Sequence, residues 1–453
     1  ADGRELAQDT LNMRVYHGTA DQMPDPKIEA VEGAGMAPSY RDVAYVVLED
    51  LDVTEFGNRV PQLNFEVFRP APAGLPGVED DPARAVKAVA MIPGTGEYSL
   101  ATQAVSFEVE KGVHRSANVH SPVGRPDLLV SLDTLHAELP SCEAVSLVVS
   151  WFGSDLRCGS CEVQPKIEQD EQDGGGMPWV VSGVSRAGAV LVPRDGDDRP
   201  VYGGTPTDLS VIQSIHALHE AGQAVTFYPF ILMEQMAGNG LPDPWTGAAD
   251  QPVLPWRGRI TLSAAPGRAG SPDGTAAADT EVAAFFGAAT PADFTPSSQG
   301  VGYSGPEEWS FRRFILHYAH LCAAAGGVEA FCIGSEMRSL TQIRGADGFP
   351  AVDALCTLAA EVREILGPDC RIGYAADWSE YFGYHPQDGT GDVYFHLDPL
   401  WGHPDVDFVG IDNYMPLSDW RDERVDGGAH ADAGWGSIYN LEYLRANIAG
   451  GEG

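Results

Sequence analysis

The pattern of apolar and polar positions changes character along the chain. Residues 144–152 (AVSLVVSWF) form an apolar run of strand length, and shorter runs follow at 179–184, 224–231, 328–334, 371–376 and 407–411. Between them lie stripes with helical spacing. Ile212, Ile215 and Leu218 predict a helix over 208–220, with Asp208 as its cap and Gly222 as its stop. Phe311, Phe314, Ile315, Tyr318, Leu321, Cys322 and Ala325 predict a second over 309–325. Val352, Leu355, Leu358, Val362 and Leu366 stripe a third, ended by Gly367-Pro368. Strands alternating with helices are the signature of a parallel α/β fold. Six β units, near residues 145, 179, 224, 329, 371 and 407, predict a (β/α)8 TIM-barrel-like domain that lacks its last two units in this chain. An open doubly wound sheet is the runner-up, but no GxGxxG turn or phosphate loop accompanies a first strand.

Upstream the rhythm is different. Residues 41–51 contain a β-branched run, and Leu63 to Phe68 alternates with period two. This predicts a small, mostly β module over 1–70 with no catalytic spacing. The Pro/Gly-rich stretch 69–77 marks a boundary, so 71–140 reads as linker and barrel lead-in and 141–453 as the barrel. A Gly/Pro-rich excursion from Met233 to Glu308 carries Trp245 and Trp256. Its length suggests either a lid over the barrel or a contact with a neighbouring subunit. The chain begins at Ala1 and stops at Gly453 in mid-pattern, which suggests a fragment.

Composition narrows the function classes. There are 65 acidic and 28 basic residues among 453, a formal charge of −37. That balance argues against a nucleic-acid partner and against an anionic membrane surface. No apolar run reaches the roughly 18–20 residues of a membrane-spanning helix, and residues 1–20 lack the basic-then-apolar order of a signal peptide. Seven cysteines are too sparse for a disulfide scaffold. Cys158 and Cys161 have CxxC spacing without a second ligand pair, so neither metal nor cofactor is expected. Cys322 and Cys356 fall within helical patterns as small core residues.

Reacting groups in such barrels come from the C-terminal ends of the strands. Those ends carry Trp151, then Ser335-Glu336, then Asp377-Trp378-Ser379-Glu380-Tyr381, then Asp412-Asn413-Tyr414. Carboxylates ringed by aromatic residues suit glycan binding and glycoside hydrolysis, where one carboxyl protonates the leaving oxygen and a second attacks or activates water. Glu336, Asp377 and Asp412 are therefore the catalytic candidates. Trp151, Tyr228, Trp378, Tyr381, Asn413 and Tyr414 are the substrate-binding candidates. Each has a structural alternative. Glu336 can pair with Arg338 or Arg344, Asp377 can cap a helix, and Asp412 can fix the turn after it. His396 and Asp398 are weak metal ligands and better read as structural, while His216 and His219 face solvent. No GxSxG elbow supports a serine nucleophile.

Several of these segments resemble a known family. They are residues 150–157 (SWFGSDLR), 227–230 (FYPF), 255–261 (PWRGRIT), 333–336 (IGSE), 375–381 (AADWSEY) and 410–420 (GIDNYMPLSDW). Together they look like the glycoside-hydrolase-like TIM-barrel domain of phage-type tail-tip proteins, the "megatron" or host-specificity proteins of alphaproteobacterial gene transfer agents. Tyr40-Arg41, residues 44–47 and Gly57-Asn58-Arg59 are similar to part of the tail hub in the same proteins. The resemblance implies a structural component of a virion-like tail tip or baseplate. It would be oligomeric in the particle, with hub and distal-tail proteins as partners. Made in the cytoplasm, it would act at the recipient envelope, where its barrel binds or cuts peptidoglycan or surface polysaccharide. A free-standing glycoside hydrolase and an architectural protein with an inactive barrel are the alternatives. By similarity to retaining barrel hydrolases, Glu336 would be the acid/base and the nucleophile would sit on a seventh strand. Ser335 stands where that family often has Asn.

Overall fold

The structure, a computed structural model, describes residues 12–54, 57–60, 63, 81–92, 96–121, 123–414, 418, 420 and 434–450. The boundary stretch 69–77 lies outside them, as does all of the expected strand 63–68 beyond Leu63.

Six parallel strands form one sheet: β1 (Ala88–Met91), β2 (Ala144–Gly153), β3 (Ala224–Met233), β4 (Ala330–Ser335), β5 (Arg371–Asp377) and β6 (Phe408–Asp412). Their spatial order equals their chain order, each strand hydrogen-bonded to the next. A doubly wound sheet would reverse direction partway. This one only curls, so it is a partial barrel of the TIM type. Helices α1 (Asp127–Glu138), α2 (Asp208–Glu220), α3 (Phe311–Ala324), α4 (Pro350–Leu366) and the short α5 (Asp398–Trp401) each follow one strand.

One expected β unit is corrected. Residues 179–184 do not enter the sheet; Val180–Val181 and Val184–Ser185 pair only with each other as a small hairpin. The missing unit is β1, whose four residues are too short for the apolar run to stand out. Ala88 pairs with Ala144 and Met91 with Leu147.

The two faces of the sheet follow the period of two. On β2, Val145, Leu147, Val149 and Trp151 are buried against the helices, while Ser146, Val148 and Ser150 face the lumen cavity. On β3, Val225, Phe227 and Ile231 take the helix side, and Tyr228, Phe230 and Leu232 the lumen. The helix-side core is aromatic: Phe227 stacks on Phe331 with centroids 5.8 Å apart, and Phe311 on Phe285 at 5.4 Å.

Local signals account for the helices. Ser310 accepts from the Arg313 N–H at the start of α3, and α4 begins on Pro350 and stops at Gly367, whose φ is +79°. At α2 the expected cap is displaced by one residue. Thr207 occupies the cap position, and Asp208 instead reaches across to the Val301 N–H at 3.0 Å and His317 Nε2 at 3.0 Å. His216 is exposed as expected, whereas His219 is half-buried against Glu329 at 3.3 Å.

The N-terminal segment is less purely β than its pattern suggested. Strands Met13–Tyr16 and Tyr45–Leu48 pair antiparallel around a helix at Pro26–Glu32 that buries no residue. Asp25 organises this unit: its carboxylate caps the helix at Lys27 and Ile28 and accepts from Arg14 and Tyr16.

Candidate functional site

The C-terminal ends of β4, β5 and β6 meet at one mouth. Glu336 follows β4, is 5% exposed, and holds a φ of +48°. A non-glycine residue there costs about 1–3 kcal/mol, a strain that concentrates at functional positions. Its own N–H donates to the Ala375 carbonyl at 2.8 Å, which fixes it between β4 and β5. Its Oε2 accepts from the Trp256 indole Nε1 at 2.8 Å and lies 3.1 Å from Arg257 Nη2.

Arg257 is the organiser of this corner. Its Nε donates to the Ser335 carbonyl at 3.0 Å and its Nη2 to Ser335 Oγ at 2.9 Å. The guanidinium lies over the Phe230 ring, 3.7 Å from the centroid. The structural pairing of Glu336 is thus with Arg257, and not with the expected Arg338 or Arg344. Arg344 is bound instead to Asp273 and Asp388.

Asp412 ends β6. Its Oδ2 accepts from the Tyr228 hydroxyl at 2.6 Å. Burial raises the Asp412 carboxyl to about 6; the charge of Glu336 adds to the rise, and the Tyr228 bond opposes it. With a value of about 6, Asp412 takes up a proton as the pH falls below neutrality. A cavity of about 790 Å³ opens on this pair, with Ser150, Tyr228, Phe230 and the largely exposed Tyr414 in its walls.

The remaining candidates separate. Asp377 caps the short helix Trp378–Tyr381: it accepts from the Ser379 N–H and hydroxyl, while Glu380 accepts from the Asp377 N–H. Trp378 and Tyr381 are exposed on that helix, and Asn413 is exposed beside Asp412. Trp151 is corrected. It is 0% exposed on the helix side of β2, wedged against Phe314 and Trp309, and its Nε1 donates to Tyr318 at 3.0 Å. The period of two carries it away from the lumen, so it is core and cannot touch a substrate.

Two features escaped the sequence reading. Arg257 is an ordinary arginine in a loop until the excursion folds back. Glu380 is fully buried, pushed up to about 7 by that burial, and accepts from Thr341 at 2.6 Å and Tyr374 at 2.9 Å. His396 lies on the other side of Thr341 at 3.3 Å and is pushed down to about 4 by burial. It packs against Phe349, which supports its structural reading. Burial pushes the Cys158 and Cys161 thiols up, the latter to about 12, opposite to what thiolate chemistry needs. Among the described residues no group of three His, Cys, Asp or Glu is placed to hold a metal ion, and no helix is long and apolar enough to cross a membrane.

Comparison with known proteins adds a family. Residues 309–453 match the family model described as "GTA TIM-barrel-like domain". The chain carries a TIM-barrel-like domain. The matched part of that domain runs from the start of α3 through β4, β5 and β6, and so contains Glu336, Asp377 and Asp412. No curated protein matches the chain. Solved structures similar to it include a GH113 beta-1,4-mannanase complex, 15% identical over 78% of this chain and 69% of that one, at a TM-score of 0.34. A second GH113 beta-1,4-mannanase structure is 14% identical over 77% and 68%, at 0.35. The GH113 beta-mannanase AaManA from Alicyclobacillus acidocaldarius, in complex with ManMIm, is 15% identical over 77% and 66%, at 0.33.

Proposed function

We propose that the mouth of the TIM-barrel-like domain takes a glycan, and that Glu336 transfers a proton to or from it. The observation that carries this reading is that Glu336 and Asp412, at the ends of β4 and β6, line one aromatic-walled cavity. Retaining hydrolysis needs a second carboxylate about 5–5.5 Å away, and inversion about 6.5–9.5 Å. Asp412 lines the same cavity as Glu336 with a raised carboxyl, and the separation of the two carboxyls when a glycan is bound decides whether it acts across the scissile bond.

The test is release of reducing ends from purified peptidoglycan and surface polysaccharide, with Glu336→Gln beside the native protein. Release that disappears in the variant supports a hydrolase. Glycan binding without release supports a recognition module on the same site. Neither binding nor release overturns the reading.

We further propose that the chain belongs to the tail tip of a gene-transfer-agent-like particle, beside hub and distal-tail proteins, with its barrel directed at the recipient envelope. The description of the matched domain and the long motifs around Glu336, Asp377 and Asp412 support this. Purified particles should contain the chain, and antibodies against it should label one tail end. A chain that never sediments with particles would remove this role and favour a free-standing glycosidase.

A further inference from the structure

We propose that a second cleft beside the mouth is a subsite for a sugar residue bearing a carboxylate. This deepens the glycan reading and rests on it. The cleft, about 380 Å³, lies between the short helix Arg338–Thr341 after β4 and the segment after the short helix Trp378–Tyr381, with Trp245 on its far wall. Its lining includes Arg338, Gln342, Ser379, Phe382 and Tyr384. It is two residues from Glu336 along one wall and two from Asp377 along the other. The walls of the cleft thus continue directly from the segments that carry Glu336 and Asp377.

Two side chains in it lack partners. Arg338 is exposed and its guanidinium makes no hydrogen bond or ion pair among the described residues, in a protein with 65 acidic residues available to satisfy it. The other arginine of this cleft, Arg344, is by contrast neutralised by Asp273 and Asp388. Gln342 is 9% exposed, lines the same cleft, and its side-chain amide has no partner among the described residues. Because this amide opens on the cleft, a ligand entering it can supply the hydrogen bond. Positions 338 and 342 are i and i+4, so both groups point from one helix face.

The chemistry of the ligand follows. A guanidinium with no internal counter-ion selects an anion, and its planar fork fits a carboxylate with two parallel bonds. The Gln342 amide offers a donor and an acceptor to a ring hydroxyl or acetamido group. Trp245 supplies an apolar face for a pyranose; its indole Nε1 is anchored on the Arg259 carbonyl at 2.9 Å, which fixes that face. The fit is to an acidic sugar, either a uronic acid of a surface polysaccharide or a muramic acid whose lactyl carboxylate is free.

Titration calorimetry of the full chain decides this with three probes: a glucuronic-acid-containing oligosaccharide, the same oligosaccharide with its carboxyls reduced, and peptide-free N-acetylglucosamine–N-acetylmuramic acid strands. At least one acidic probe should bind 10-fold or more tighter than the reduced one, and which one identifies the source. Arg338→Gln should bring the acid-to-reduced ratio close to one, and Arg338→Lys should restore part of it. Glu336→Gln should keep the ratio while removing any release of reducing ends. Equal binding of acidic and reduced forms, or an unchanged ratio in Arg338→Gln, overturns the subsite and leaves the mouth standing. No binding of any of the three overturns both.

Discussion

The Tyr228 hydroxyl on β3 donates to Asp412 Oδ2 on β6 at 2.6 Å, across the lumen of the partial barrel. This bond pulls down a carboxyl that burial and Glu336 hold at about 6. Tyr228→Phe deletes the donor and keeps the ring. Asp412 should then titrate higher, and the acid limb of a pH profile for glycan turnover should move upward by up to about one pH unit, worth about 1.4 kcal/mol. A limb that stays in place would show that the Asp412 proton does not control the site.

At Gly258 the excursion packs tightly on itself beside the mouth. A Cβ at that position would lie 2.4 Å from the Trp256 ring, whose Nε1 binds Glu336. Gly258→Ala should therefore push the indole off Glu336. Turnover, or glycan affinity if the site only binds, should fall by roughly tenfold, about 1.4 kcal/mol, with a shift in tryptophan emission. Unchanged emission and activity would mean that Trp256 is not held against this backbone.

Trp151→Ala should behave as a core mutation. Removing a fully buried tryptophan side chain costs about 3–5 kcal/mol of unfolding free energy, measured by urea denaturation, while glycan affinity of the folded protein is retained. Loss of binding at full stability would return Trp151 to the site.

Glu380 and His396 flank Thr341 and oppose each other in pH. Glu380 is raised to about 7, so the native state keeps a proton that the unfolded chain gives up above about 4.5; its contribution is full at low pH and is lost as pH rises to 7. His396 is lowered to about 4, so the native state refuses a proton that the unfolded chain takes below about 6.5; its contribution is present at high pH and is lost as pH falls to 4. The two slopes offset each other in the wild type. Glu380→Gln removes one of them, so stability should rise between pH 4.5 and 6.5 more steeply than in the wild type, by about 3 kcal/mol across the window. Parallel profiles for the two proteins in thermal melts would refute the assignment.

How much of this was legible in the chain depends on the range of the signal. Long apolar runs such as 144–152 and 224–231, and the stripe from Phe311 to Ala325, set their own elements, because burying such a face leaves few alternatives. Their alternation implied a parallel α/β domain, and strand ends mark where reacting groups go, so Glu336 and Asp412 stood out as candidates before any fold was seen. The four residues of β1 carried too little pattern to be told from a loop, and 179–184 carried enough to mislead, since hairpin and barrel strand share one periodicity. Pairing with a neighbour decides between them, and pairing is not written locally.

Tertiary structure alone decided the rest. Which face of β2 meets the helices set Trp151 in the core while Ser150, one residue earlier, faces the cavity. Arg257 and Trp256, some eighty residues before Glu336, reach it only because the excursion folds back over the mouth. That Asp412 and Glu336 line one cavity depends on the curl of the sheet, which brings the ends of two non-adjacent strands to the same mouth. Hydrophobic period is a property of neighbours in the chain and the sequence carries it. Charge partners, burial and the pKa shifts they cause are properties of neighbours in space, and they exist only once the chain has closed on itself.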